Sequence, residues 1–253
     1  MSILDHDIIS ERYFFPRRQP LDGARMVDVG EAELACFEVD DGHDLTLVHF
    51  HGNGEIVADY LPGFAGQIDS LGANSFFAEY RGYGGSTGTP RLAAMLDDVE
   101  PIREAINEAT GGRPDSQLVV FGRSVGSIYA IEFAARFPDI AGLVLESGIA
   151  DVHERILLRA TPVELGATPE ELRAEFDRLF DHEAKLGQYT GPTLVMHTEN
   201  DHLVDKSHAD RNAAWAGGEC RKVLFERGDH NSIFHANKAE YLAKLGRFLE
   251  GCR

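Results

Sequence analysis

The fold of this chain is decided by residues 118–134, which read LVVFGRSVGSIYAIEFA. A short apolar run leads into the pentapeptide Gly122-Arg123-Ser124-Val125-Gly126, and a helical pattern follows it. A serine on such a strand-to-helix turn takes a strained backbone that lifts its hydroxyl clear of the sheet, and flanking glycines make room for the turn. Ser124 is therefore a candidate nucleophile; the alternative is a glycine-rich turn whose serine has no chemical role.

Composition and charge narrow the class of protein. The 253 residues suit one large α/β domain, residues 1–253, and the chain is 43% hydrophobic and 26% charged. A net charge of −18 argues against a nucleic acid or an anionic membrane as partner. No apolar stretch is long enough to span a membrane, no signal peptide is evident, and the three cysteines are scattered. We therefore expect a cytoplasmic protein.

Short apolar runs alternate with helical patterns along most of the chain. This alternation is typical of a mostly parallel twisted sheet with helices on both faces. Residues 24–29 are expected to pair with the first strand as an antiparallel ribbon. The predicted strands cover residues 33–39, 45–50, 74–80, 118–121, 142–145, 193–197 and 222–225. The predicted helices cover residues 55–71, 92–109, 125–137, 170–186, 207–216 and 236–250.

Residues 148–189 interrupt this rhythm, because they are far longer than a usual connection between core strands. Two helical patterns lie there, and we interpret the segment as a short helical cap over the site; the alternative is a crossover helix with a loop. Apolar side chains at helical spacing lead us to expect a substrate pocket lined by Leu157, Leu158, Phe176 and Phe180.

A serine nucleophile needs a base, and the base needs an acid to orient it. Asp201 follows the predicted strand 193–197, where a loop at the strand's carboxyl end would place it. Glu199 and Asp205 are rivals in the same loop, and Glu146, at the end of an earlier strand, is the best alternative acid.

The predicted base is His230. It is one of eleven histidines, but it follows Gly228 after the last predicted strand and precedes the C-terminal helix. The order along the chain is thus serine, acid, histidine.

A turn that could stabilise an oxyanion follows the strand 45–50 and reads His51-Gly52-Asn53-Gly54. Backbone N–H groups at such a turn can point at a developing negative charge, and the second donor is usually the residue after the nucleophile, here Val125. Residues 82–86 are glycine-rich but lack the lysine of a phosphate-binding loop. His and carboxylate residues are too sparse to indicate a metal site, so we expect neither cofactor nor metal.

Taken together, these segments resemble the α/β-hydrolases over nearly the whole chain, and most closely the Bem46-like branch that includes the α/β-hydrolase domain-containing proteins. The resemblance rests on residues 50–54, 80–90, 122–127, 200–204 and 228–231. It implies a serine hydrolase with Ser124, Asp201 and His230 as catalytic triad, and with Asn53 and Val125 as oxyanion donors.

The chain departs from the branch at two positions: Glu79 stands where an aspartate is usual, and Asp205 where a proline is common. Many eukaryotic members carry a membrane anchor or palmitoylated cysteines; this sequence shows neither, so the resemblance does not imply membrane association here. The branch includes depalmitoylases, lipases and esterases.

We expect hydrolysis of a small carboxylic ester or thioester through an acyl-enzyme. The alternatives are an amidase or peptidase with the same triad, or a non-catalytic scaffold that acts as a binding protein. Oligomeric state and acyl preference stay open.

Overall fold

The computed structural model describes residues 2–253 and contains one eight-stranded sheet. Its strands are β1 (Arg25–Asp28), β2 (Glu33–Val39), β3 (Leu45–Phe50), β4 (Ala73–Ala78), β5 (Leu118–Arg123), β6 (Gly142–Glu146), β7 (Thr193–Thr198) and β8 (Cys220–Phe225). They lie in the order β1-β2-β4-β3-β5-β6-β7-β8. The pairs β1–β2 and β2–β4 are antiparallel, and all other pairs are parallel. The mostly parallel sheet and its antiparallel N-terminal ribbon are thus confirmed.

Ten α-helices surround the sheet in the described residues. They are α1 (Asp7–Tyr13), α2 (Phe64–Ser70), α3 (Ala94–Asp97), α4 (Val99–Ala109), α5 (Gly126–Arg136), α6 (Val152–Leu157), α7 (Pro169–Leu179), α8 (His182–Gln188), α9 (Ser207–Trp215) and α10 (Ile233–Gly251). Between residues 2 and 253, none of these helices combines the length and the apolar character that crossing a bilayer requires.

Three of the predicted helices are shorter or broken in the structure. The helix predicted over 55–71 is a 3-10 turn, Val57–Asp59, followed by α2, because Pro62 and Gly63 interrupt it. The helix predicted over 92–109 is divided into α3 and α4. The helix predicted over 170–186 ends at Leu179, and a second helix begins after Asp181, whose carboxylate accepts a hydrogen bond from the Ala184 N–H at 2.9 Å.

Both faces of the five strands β3 to β7 are buried, as is usual for parallel strands. Alternate residues of β3 and β5 enter opposite cores: Val48 and Val120 belong to one, and Leu47 and Val119 to the other. Helix α5 covers the first core, and α2 and α10 cover the second. This arrangement places the carboxyl ends of the parallel strands at one edge of the sheet, where the loops that follow them meet.

The segment between β6 and β7 consists of α6, α7 and α8. Helix α8 packs against α5 and α9, so it belongs to the layer of helices that covers the sheet. Helices α6 and α7 pack against one another, and α7 also contacts the N-terminal 3-10 turn Ile3–Asp5. The connection therefore combines one ordinary crossover helix with two additional helices near the N-terminal segment.

Candidate active site

Ser124 lies on the turn between β5 and α5 and has a φ angle of 51°. This left-handed backbone is strained for a residue with a Cβ. A Cβ at Gly122 would lie 2.6 Å from Ala130 Cβ, and one at Gly126 would overlap the Phe50 carbonyl. The two glycines therefore let β5, α5 and β3 approach closely enough to form the turn that carries the serine.

His230 lies directly beside this serine. Its Nε2 lies 2.9 Å from Ser124 Oγ, and its Nδ1 lies 2.7 Å from Asp201 Oδ2. The histidine follows β8, after Gly228 with φ of 80°, and Asp229 accepts hydrogen bonds from the N–H groups two and three residues later. The structure thus brings the three predicted catalytic residues into one hydrogen-bonded series, although they lie far apart in sequence.

Asp201 is completely buried and has a full set of hydrogen-bond donors. Its Oδ1 accepts from the N–H groups of Leu203, at 2.9 Å, and Val204, at 2.8 Å, while Oδ2 faces His230. Burial raises the pKa of this carboxyl, but the interactions with His230 and the Val204 amide lower it more, so its pKa lies below the usual value. The group is therefore a carboxylate at neutral pH.

A second histidine, His197, supports the same loop. Its Nε2 donates to the Val204 carbonyl at 2.9 Å and lies 3.4 Å from Asp201 Oδ2. Burial lowers the pKa of His197, which favours the neutral ring. No short segment of the sequence indicates this contact, because it depends on how the loop after β7 folds back over the strand.

The rival acids have other partners. Glu146 accepts a hydrogen bond from Arg123 Nη1 at 2.8 Å and another from the Tyr241 hydroxyl. Asp205 accepts from the Ser207 N–H at 2.9 Å, and Glu199 is exposed. None of the three carboxylates forms a hydrogen bond with His230 in residues 2–253.

Arg123, the second residue of the pentapeptide, connects three elements around the histidine. Its guanidinium lies 2.8 Å from both Glu55 and Glu146, and its Nη2 donates to the His230 carbonyl at 3.0 Å. Burial raises the pKa of Glu55, but the Arg123 charge and its hydrogen bonds lower it to about 2. This buried network holds the backbone of His230, and the sequence patterns did not predict it.

Asn53 and Val125 both lie at the cavity beside Ser124. Within residues 2–253, neither of their backbone N–H groups donates to another protein atom. The Asn53 side chain has a separate role, since its amide nitrogen donates to the Tyr13 carbonyl and its amide oxygen accepts from the Phe15 N–H and the Tyr83 hydroxyl. It fastens the N-terminal segment over the turn.

Glu79, where the branch usually has aspartate, forms a buried pair with His51. His51 Nε2 lies 2.6 Å from Glu79 Oε1, and the other oxygen accepts from the Val57 N–H at 3.0 Å. Burial lowers the pKa of His51, but the Glu79 carboxylate raises it more, so the net pKa lies above the usual value. The pair therefore fixes the turn that begins at Gly52.

The cavity beside Ser124 has a volume of about 270 Å³ and is lined by both polar and apolar side chains. Tyr13 and Phe15 of the N-terminal segment lie on one side, and Ile149 and Val204 lie near the histidine. Two further lining residues, Arg155 and Arg159, follow β6.

The four predicted pocket residues do not line this cavity. Leu157 and Leu158 are 43% and 68% exposed. Phe176 and Phe180 are buried in the core, with ring centroids 5.9 Å apart. This expectation is wrong because helical periodicity identifies a face that packs, but not what that face packs against.

A second cavity of about 370 Å³ adjoins the first and shares Glu55, Arg123 and Asn231 with it. Aromatic side chains, among them Phe64 and Phe234, give it a more apolar wall. Within residues 2–253, no three His, Cys, Asp or Glu side chains lie together in a way that could hold a metal ion.

A family model described as serine aminopeptidase, S33 matches residues 41–170, just over half of the chain. The chain belongs to this family of α/β-hydrolases. The resemblance to the Bem46-like branch is confirmed by curated relatives. Alpha/beta hydrolase domain-containing protein 17B of Homo sapiens is 25% identical over 204 residues, which are 81% of this chain and 66% of that protein. Protein 17C of Xenopus laevis is 25% identical over 85% of this chain and 65% of its own length. The chain thus spans slightly less than two thirds of these relatives.

Solved structures share the fold. Est1E from Butyrivibrio proteoclasticus, solved with ferulic acid bound, has a TM-score of 0.73 at 16% identity and covers 89% of this chain and 98% of its own. The esterase Pf2001 of Pyrococcus furiosus has a TM-score of 0.71 at 15% identity and covers 93% of this chain and 98% of its own. These similarities confirm an α/β-hydrolase fold.

Proposed function

We propose that the protein hydrolyses a carboxylic ester or thioester through an acyl-enzyme on Ser124. The observation that carries the proposal is the series Ser124 Oγ, His230 Nε2, His230 Nδ1 and Asp201 Oδ2, with distances of 2.9 and 2.7 Å. A serine hydroxyl becomes an effective nucleophile only when a base removes its proton and a third group orients that base.

The reaction has two halves. His230 Nε2 takes the Ser124 proton as Oγ attacks the carbonyl carbon, and the imidazolium then protonates the leaving alcohol or thiol. A water molecule, deprotonated by the same nitrogen, attacks the acyl-enzyme and releases the acid. Throughout, Asp201 holds the His230 N–H at Nδ1 and stabilises the positive charge of the imidazolium.

The backbone N–H groups of Asn53 and Val125 are the proposed oxyanion donors. Their support is their place at the cavity and their lack of a protein acceptor within residues 2–253. Donors that are already positioned stabilise the charge of the tetrahedral intermediate without reorganising. The hydrogen bonds from the Asn53 side chain keep the turn in place while its N–H is used.

Of the two alternatives to this function, one has support of its own. The description of the matched family, serine aminopeptidase, favours an amidase or peptidase with the same three residues. A non-catalytic binding protein is less well supported, because nothing in the fold alone would require the short contacts of Ser124 and His230. The names of the relatives and of the structural neighbours suggest hydrolysis, but neither is similar enough to assign a substrate.

We further propose that residues 1–253 act as one domain in which residues 148–189 partly cover the site, because Ile149, Arg155 and Arg159 of that segment line the cavity. A cytoplasmic location agrees with three unpaired cysteines, one of them buried. Cell fractionation checks the location.

A substrate panel tests the proposed reaction. The purified protein is assayed with a p-nitrophenyl ester, an acyl thioester and an aminoacyl p-nitroanilide, each with the Ser124→Ala protein as blank. We expect turnover of the first two above the blank. Turnover of the anilide alone would establish the peptidase alternative, and no turnover together with no labelling by a fluorophosphonate would establish the binding protein.

A further inference from the structure

Two arginines stand at the cavity beside Ser124. Arg155 lies on α6 and Arg159 lies just after it, and both line the cavity of about 270 Å³. Neither forms an ion pair or donates a side-chain hydrogen bond within residues 2–253, whereas Arg123 in the same lining is bound to two carboxylates. Both arginines lack an ion pair although the chain carries a net charge of −18.

The carboxylates around the two arginines have other partners. Glu154 pairs with Arg211 at 2.8 Å. Glu164 pairs with Arg12 at 2.9 Å. Glu55, the acidic residue in the lining, pairs with Arg123. None of these three carboxylates therefore forms an ion pair with Arg155 or Arg159.

Arg155 is partly withdrawn from water as well. Its side chain is half-buried, and its Nε is inaccessible to solvent without a hydrogen-bond partner. A buried donor that has no acceptor is costly, so an acceptor that arrives from outside would remove this cost. Burial raises the pKa of Tyr13 to about 12, although the charges of Arg155 and Arg159 oppose the rise, which is consistent with both cations lying close to this cavity wall.

Arg159 has an aromatic neighbour in place of an anion. Its guanidinium carbon lies 5.8 Å from the centre of the Phe15 ring, and Phe15 is half exposed. This contact is made by the guanidinium itself and uses none of its hydrogen-bond donors.

We propose that Arg155 and Arg159 bind an anionic group of the substrate, a carboxylate or a phosphate, while its scissile carbonyl lies at Ser124. The planar guanidinium matches the geometry of both anions and binds either one through paired N–H groups. A cavity of about 270 Å³ admits a short acyl group with a charged end. The inference rests on the proposed function and specifies its substrate class: an ester or thioester that carries a negative charge near the carbonyl.

The test compares esters that differ only in charge. p-Nitrophenyl hexanoate is compared with the p-nitrophenyl monoester of adipate and with the p-nitrophenyl ester of 5-phosphonopentanoate, which separate carboxylate from phosphate-like groups. 4-Carboxyphenyl and 4-carbamoylphenyl hexanoates test an anion on the leaving group. We expect at least one anionic ester to exceed its neutral counterpart in kcat/KM by about tenfold or more, mainly through a lower KM.

Variants assign the preference to the two arginines. In the Arg155→Gln/Arg159→Gln protein, the ratio of anionic to neutral kcat/KM should fall about tenfold or more, and Arg155→Lys/Arg159→Lys should retain part of it. Arg173→Gln is the matched control, because Arg173 is an exposed residue of α7 that pairs with Asp177 at 2.7 Å. It removes one positive charge outside the cavity, as each of the two Gln changes does inside it, and should leave the ratio unchanged. Circular dichroism and thermal unfolding check that each variant is folded.

Binding to the Ser124→Ala protein keeps this inference separate from the reaction. Calorimetry with adipate and with inorganic phosphate should show saturable binding of at least one anion, weakened by the double Gln change but not by Arg173→Gln. If neutral esters are hydrolysed while no anionic ester is preferred, the inference is overturned and the proposed function stands. If no ester is hydrolysed, saturable anion binding that depends on the arginines still supports it, and absence of such binding overturns it.

Discussion

Asp201 and Glu146 are buried carboxylates at the carboxyl ends of neighbouring parallel strands, yet they have opposite surroundings. Asp201, in the loop after β7, faces His230 Nδ1 at 2.7 Å and two backbone N–H groups. Glu146, the last residue of β6, faces Arg123 at 2.8 Å and the Tyr241 hydroxyl. The Asp201 carboxylate is placed to orient a base, whereas the Glu146 carboxylate forms an ion pair with a cation.

The comparison shows that position at a strand end does not decide the role of an acid. The partner of the acid decides its role, because a carboxylate that is already paired with a guanidinium is a weak hydrogen-bond acceptor for a histidine. Glu146 still reaches the site indirectly, since Arg123 donates to the His230 carbonyl at 3.0 Å. We therefore propose a catalytic role for the acid that follows β7 and a structural role for the acid at the end of β6.

The largest effect on catalysis should come from replacing Ser124. Ser124→Ala should lower kcat by about 10⁴- to 10⁶-fold, since loss of a triad nucleophile removes the covalent route. Steady-state assays with one activated ester give the rate, and unchanged circular dichroism provides the control. A variant that keeps a tenth of the wild-type rate would mean that Ser124 is not the nucleophile. Asp201 and Glu146 would then both be structural residues.

The next effect separates the two acids. Asp201→Asn should cut kcat by about 10²- to 10⁴-fold, because His230 loses the partner that fixes its tautomer and stabilises its charge. Glu146→Gln, which also replaces one oxygen by an amide, is the matched control and should cost far less in kcat. A greater loss in the Glu146 variant would reverse the assignment of the two strand ends.

The same Glu146→Gln protein should instead lose stability. The change removes a negative charge that is hydrogen-bonded to the buried Arg123, so we expect unfolding to be easier by about 1–3 kcal/mol. Denaturation in urea measures this, with the exposed Glu199→Gln as control. An unchanged midpoint would show that Glu55 alone satisfies the guanidinium.

Much of this site could be predicted from the sequence, because the signals for it lie within short segments of the chain. The glycines around Ser124 and the chain order of serine, acid and histidine are visible in short segments, as are the apolar runs that form the strands. The broken helices also left local signals, namely Pro62-Gly63 and the capping residue Asp181.

What the sequence could not show depends on contacts between distant segments. Arg123 meets Glu146 only because β5 and β6 are neighbours in register. Phe176 and Phe180 have the spacing of pocket residues but pack into the core, whereas Arg155 and Arg159 have the pattern of surface charges and lie at the cavity. Periodicity gives the direction of a face relative to its own helix, not its place in the fold.

The smallest expected effect concerns pH and again contrasts the two strand ends. The loop after β6 is held by two buried histidines: His182 Nδ1 bonds to the Ile149 carbonyl at 3.0 Å, and His208 Nδ1 accepts from the Ala150 N–H at 3.0 Å. Burial lowers the pKa of His182 to about 3 and that of His208 to about 4. The loop after β7 is held by Asp201, whose pKa lies below its usual value.

The directions of these pKa shifts determine the order in which the contributions to folding stability are lost as the pH falls. As the pH falls below about 6.5, these histidines bind protons in the unfolded chain but not in the folded protein. The free energy of unfolding therefore decreases toward pH 4. The contribution of Asp201 is lost only at lower pH, as its carboxyl protonates. The melting temperature measured from pH 7 to 4 should therefore decline, less steeply in His208→Gln and unchanged in slope in the exposed control His202→Gln. An identical slope in His208→Gln and the wild type would show that this histidine takes no part.

The central claim, that Ser124 is a nucleophile activated through His230 and Asp201, is tested most directly by covalent labelling. The wild-type, Asp201→Asn and Glu146→Gln proteins are treated with a fluorophosphonate, and the adduct is located by mass spectrometry while its rate of formation is followed. The account predicts one adduct, on Ser124, formed at a similar rate in the wild type and Glu146→Gln and much more slowly in Asp201→Asn. An adduct on another serine, no adduct at all, or equal slowing in both variants would contradict it.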